Sequence, residues 1–124
     1  MKVVIKAAWP DTKLMNANDR DYHFTRAART RVWREAAGWW ARQHRVKPFT
    51  EKVRVHVMFG VKYPGRRRDP LNFAPTIKAI VDGLTDVGLW PDDNSTWVEN
   101  TEPAFTDVIP NKTLAIIIET IGTP

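Results

Sequence analysis

Residues 52–61 read Lys-Val-Arg-Val-His-Val-Met-Phe-Gly-Val. Val53, Val55, Val57 and Phe59 fall on one face of an extended chain, with Lys52, Arg54 and His56 on the other. A strand patterned this way must lay its apolar face on a second layer, and the flanking segments can supply one. From about Thr25 to His44 the pattern is helical, with Ala28, Val32, Ala36, Trp39 and Trp40 on one broad arc and Arg31, Arg34, Arg42 and Arg45 opposite. A second helix is predicted to begin near Pro75, with Ile77, Ile80, Val81 and Leu84 as its buried arc and Gly88 as its stop. Residues 2–9 alternate as a half-buried strand that Pro10 ends, and a short strand is expected at Trp97 to Glu99. Thr113 to Ile121 holds a continuous Leu-Ala-Ile-Ile-Ile, read as a strand buried on both faces or at an oligomer interface. The expected order is β-α-β-α-β-β, an α+β domain with a small mixed sheet and two helices packed on one side.

The chain has 124 residues, 43% of them hydrophobic, which fits one domain spanning residues 1–124. It has no cysteine, so thiolate zinc, disulfides and cysteine nucleophiles are excluded. His23, His44 and His56 lack ligand-type spacing and are expected to be surface or satisfied interior residues. No apolar run approaches the roughly 20 residues that span a bilayer, and the N-terminus is too short in apolar residues for a signal peptide. The expectation is a soluble, cytoplasmic protein.

Charge is segregated along the chain. Residues 1–68 hold 17 Lys and Arg against 5 Asp and Glu, a balance of +12; residues 69–124 hold 2 against 9, a balance of −7. The sign changes at Arg68-Asp69. A basic field holds a polyanion, and local carboxylates can hold a hard cation against phosphate.

The segment from Arg66 to Asp93 gathers these groups: Arg66, Arg67 and Arg68, then Asp69, then Lys78 and Asp82 on the second helix, then Asp92-Asp93 in a turn. Arginine grips phosphate, and converging carboxylates bind a hard cation such as Mg²⁺ through oxygen. Each feature also has an ordinary reading. Asp92-Asp93 after Pro91 can be an acidic turn, and Lys78 with Asp82 an exposed ion pair. The helix arginines can be a solvated face or a DNA contact, and Asn16, Asn18, Arg20 and Tyr22 read as a loop that could touch DNA. Trp33, Trp39 and Trp40 can pack or stack on bases, with packing expected of at least two.

Arg67, Arg68, Asp69, Asn72, Lys78, Asp82, Leu84, Gly88, Asp92 and Asp93 together resemble the pattern of the RusA-type Holliday junction resolvases of bacteria and their phages. Weaker similarity extends to the strand ending Trp9-Pro10, the arginine-rich helix and the final apolar strand. The resemblance implies a RusA-like fold and a homodimeric, Mg²⁺-dependent endonuclease, with Mn²⁺ as a substitute, that nicks four-way DNA junctions symmetrically. Two departures stand out. The family's second Asp in Asp-x-Asp-Asn is Leu71 here, and the stretch from Asn72 to Lys78 is about one helical turn longer. On this pattern Asp69, Lys78 and Asp93 are the candidate catalytic residues, and Asp69, Asp92 and Asp93 the candidate metal ligands. Arg66, Arg67, Arg68, Asn72, Arg20, Arg31 and Arg34 are the candidate DNA contacts. The missing ligand could be supplied by Asn72, Asp82 or Asp92, with Leu71 turned toward the core beside Phe73. Two other classes remain open: a branched-DNA-binding protein without cleavage, and a single-strand nucleic-acid-binding module using Trp and Arg stacking.

Overall fold

The computed structural model describes residues 1–20 and 22–122. Strand β1 (Lys2–Ala8) leads through a long loop to α1 (His23–Gln43). Strand β2 (Lys52–Gly60) is followed by an irregular stretch and one 3₁₀ turn (Pro70–Phe73) that runs directly into α2 (Ala74–Asp86). Short strands β3 (Val98–Asn100) and β4 (Ala104–Thr106) precede the long β5 (Thr113–Gly122). All six expected elements form, within two residues of their expected limits. Strand β4 and the 3₁₀ turn are additional.

The sheet order is β1-β5-β2-β3, with β4 also paired to β2. Strand β5 is antiparallel to both β1 and β2, whereas β3 and β4 run parallel to β2 along successive parts of its length. The result is a single small α+β domain built on a mixed sheet. Strand β5 is central in the sheet; Leu114, Ile116 and Ile118 of its run are buried toward the helices, Ala115 is buried on the other face and Ile117 half-buried there.

Register places Ile5, Ile116 and Val57 in one row across the sheet, and Val3, Ile118 and Val55 in the next. These rows, with Phe59, form one buried cluster with Trp33 and Ala37 from α1 and Ile77, Ile80 and Leu84 from α2. Both helices therefore lie on the same face of the sheet. The Trp33 ring sits edge-on to Phe59 at 6.4 Å and tilted to Trp9 at 6.3 Å. Such pairs add about 0.5–1.5 kcal/mol each beyond area burial.

The arc expected for α1 holds only in part, for Trp40, which is buried, and Ala36, which is half-buried against the core. Its buried residues are Trp33, Ala37, Gly38, Trp40 and Ala41, while Ala28, Val32 and Trp39 are exposed, Trp39 at 59%. Alanines occur all round this helix, so the pattern is nearly as compatible with one rotation as another, and contact with α2 decides. At Gly83 of α2 a Cβ would stand 2.0 Å from the backbone oxygen of Arg34, so only glycine lets the two helices come this close. Two of the three helix tryptophans do pack, as expected. The expected arc of α2 holds: Ile77, Ile80, Val81 and Leu84 are buried. Gly88 ends that stretch with φ of 83°, the left-handed conformation that closes many helices.

Candidate functional site

Pro70 lacks an N–H, so it suits the first position of the 3₁₀ turn, and Asp69 caps the turn by accepting from the Leu71 N–H at 3.1 Å. The loop between β1 and α1 is fastened here. Fully buried Thr76 accepts from the Met15 N–H at 2.7 Å and donates to the Met15 carbonyl at 2.9 Å, and the Ala17 N–H donates to the Asn72 carbonyl at 2.7 Å. After Gly88 the chain reverses. Buried Leu89 and Trp90 anchor it, the Trp90 indole donating to Thr85 Oγ1 at 2.7 Å, and the turn at residues 91–93 is carried back beside α2.

That return brings together two residues distant in sequence. Lys78 Nζ lies 3.7 Å from the Asp93 carboxylate and 3.5 Å from that of Asp82. Asp82 in turn lies 3.9 Å from Arg34 Nη1, and Arg34 binds Asp86 in a bidentate pair at 2.5 and 2.7 Å. The sequence Asp93, Lys78, Asp82, Arg34, Asp86 is a line of alternating charges crossing from the loop over α2 to α1. The hydrogen bonds that Arg34 donates to the Asp86 carboxylate hold the pKa of the guanidinium above its ordinary value and that of Asp86 below the usual carboxylate range.

Lys78 and Asp93 share the wall of a cavity of about 660 Å³ with Leu71 and Asn100; most of the remaining wall is apolar, from Pro70, Ala74, Pro75, Ile77, Val81 and Pro103. Leu71 is 62% exposed, contrary to the expectation that it faces the core. The expectation assumed strand-like alternation of Leu71 with Phe73. In a 3₁₀ turn of three residues per revolution, side chains two apart point in different directions. Phe73 turns inward onto Phe105, ring centroids 5.0 Å apart, and Leu71 stays outside.

The three candidate metal ligands are not gathered. Asp69 caps the 3₁₀ turn, and Asp92 accepts from the Asp93 N–H at 2.7 Å and from the Asn94 side chain at 3.2 Å within its own turn. Only Asp93 reaches the cavity, where Lys78 faces it. Among the described residues no group of three or more His, Asp or Glu side chains is placed to hold a metal ion. Within one chain these residues do not complete a magnesium site, Asp93 being the one candidate ligand on the cavity wall.

Arg66 and Arg67 are exposed; Arg68 is half-buried, donates to the Tyr63 carbonyl at 3.0 Å and lies 5.1 Å over the Phe105 ring, bracing the loop. Arg20 and Arg31 are exposed. Arg34 is engaged with Asp86. Asn72 is half-buried and contributes its backbone to the Ala17 contact. His56 Nδ1 contacts Thr101 Oγ1 at 2.7 Å, and His44 Nδ1 the Trp40 carbonyl at 2.8 Å.

Asn100 and Ala17 line the cavity without having been singled out from sequence. Asn100 sits in a strand of three residues, too short to show a period, and Ala17 is placed by the Thr76 clamp, a tertiary contact that leaves no local pattern.

No protein-family model matches the chain, and no curated protein matches it in sequence. Among the described residues no helix is long and apolar enough to cross a membrane.

Proposed function

We propose that this chain is a homodimeric, structure-selective endodeoxyribonuclease that acts on four-way DNA junctions in recombination and repair, with Mg²⁺ as cofactor. The observation that carries this reading is the meeting of Lys78 and Asp93 at one cavity wall, since these are the two most widely spaced charged residues of the second half of the motif. Phosphodiester hydrolysis develops negative charge on the phosphoryl oxygens. The Lys78 ammonium, 72% exposed and fixed between two carboxylates, stands where it can meet that charge. Arg66 and Arg67, exposed near the 3₁₀ turn, would hold the DNA backbone without reading base sequence.

A second reading is binding of branched DNA without cleavage. It is favoured by the lack of a three-acid group among the described residues and by an exposed Leu71 where the motif calls for a carboxylate. One experiment separates the two: labelled junction, duplex and single-stranded DNA incubated with the protein, with and without Mg²⁺. Paired nicks in the junction that require Mg²⁺ support the nuclease. Tight, selective junction binding with no nicks supports the second reading. Equal or tighter binding of single strands overturns both.

A further inference from the structure

Among the described residues no helix covers the face of the sheet turned away from α1 and α2. Side chains alternate across a strand, so the register that sends Ile5, Ile116 and Val57 into the core sends their neighbours outward. One outward row reads Lys2, Glu119, Arg54, Glu99 from β1 through β5 and β2 to β3, a ladder of alternating sign. Arg54 and Glu99 are joined at 3.2 Å. The next row reads Val4, Ile117, His56 and the one after it Lys6, Ala115, Met58, Ala104, mostly apolar with one histidine and one lysine among them. Val4 is 41% exposed and Ala115 is buried at 5%; none of these apolar residues belongs to the cluster packed beneath the helices.

We infer that this face is where a second copy of the chain docks, with the two-fold axis running along the strands between β5 and β2. The inference rests on the homodimer in the proposed function and specifies its surface. With that axis β5 lies over the partner's β2 and β1 over the partner's β3. Lys2 then meets the partner's Glu99, and Glu119 meets the partner's Arg54. In the rows above, Ile117 covers the partner's His56, and small Ala115 covers the partner's Met58. Aligned sheets pack face to face in this manner, with a twist of about 30°.

The ladder also rejects the neighbouring arrangements. An axis along β5 would set Glu119 on Glu119 and Lys2 on the partner's Arg54; an axis along β2 would set Arg54 on Arg54 and Glu119 on the partner's Glu99. Like charges disfavour both, so of these three axes along the strands the one between β5 and β2 alone overlaps all four strands without repulsion. The patch is four strands wide and about seven residues long, about 19 Å by 23 Å, which fits reversible association rather than a permanent dimer.

The test uses two single reversals, Arg54→Glu and Glu119→Lys. Alone, each places two like-charge pairs in the interface, so self-association should weaken by about tenfold or more. Mixed, the two variants form a heterodimer in which both contacts have opposite signs, so sedimentation should recover the dimer mass only in the mixture. No effect confined within one chain can do that. Circular dichroism and melting verify folding, and Lys2→Glu with Glu99→Lys is a second pair at the rim should either variant fail to fold. A wild-type protein that stays monomeric throughout the micromolar range overturns the homodimer itself. A dimeric wild type whose single variants also dimerise, or whose mixture stays monomeric, overturns this face and leaves the homodimer standing.

Discussion

Leu71 changes meaning once its exposure is known. A buried position would make Leu71→Asp costly by several kcal/mol, but at 62% exposure the substitution should stay within about 0.5 kcal/mol of the parent. Its melting temperature is therefore expected to be unchanged. Because Leu71 and Asp93 share a cavity wall, the variant adds an oxygen donor there, so Mg²⁺ affinity measured by calorimetry should rise. A large drop in melting temperature would return Leu71 to the core. If the nuclease reading holds, Lys78→Ala should lower turnover more than junction affinity, since the ammonium acts on charge developed in the transition state. Equal losses in both would make Lys78 a binding residue only. The pairing of Lys78 with Asp82 was legible from their four-residue spacing on one helix, whereas Asp93 was grouped with Lys78 only through the resolvase-like pattern, and the fates of Asp69 and Asp92 were not legible. Capping and turn closure depend on backbone geometry that identical residues elsewhere would not adopt.

Among the elements, β2, α2 and β5 were the most legible because each shows one clear period or one dense apolar run. Strand β4 was not, since Ala-Phe-Thr is too short to alternate and exists only because β2 offers it an edge. The face of α1 was partly misread because its alanines surround the helix, and the deciding fact is the glycine on α2. Gly83→Ala should therefore separate α1 from α2 and destabilise the fold by about 1–3 kcal/mol, as overpacking does. Denaturant unfolding measures this directly. The Arg34 and Asp86 pair crosses the same interface. Asp86 has its folded pKa below the unfolded value of about 3.9, so its contribution is present above that pH and disappears as pH falls through the folded pKa. Asp86→Asn should lower stability at neutral pH by at most about 1 kcal/mol, because the pair is half exposed, and the difference from the parent should vanish in strong acid.

For the molecule as a whole, the proposed function makes segregated charge the feature that would set how it meets DNA. The first half of the chain carries the basic excess, and Arg20, Arg31, Arg66 and Arg67 all stand exposed. Junction affinity should fall linearly on a log–log plot against salt, with a slope near −0.9 per phosphate neutralised. A flat profile, read by fluorescence anisotropy, would mean that these arginines do not hold phosphate. The two-layer plan and the strand content could be inferred from sequence, whereas the order of strands could not, because pairing between distant segments is recorded only in their final register. That order has a consequence for synthesis. Strand β5 lies between β1 and β2 yet follows both of them, and β3 and β4, in the chain. Until residues 113–122 have left the ribosome, β1 and β2 have no strand between them, each with open backbone edges and an apolar face in water. Strand β2 can take β3 and β4 along its other edge before then, but β1 can join the sheet only in one late step, when β5 arrives to stand between them.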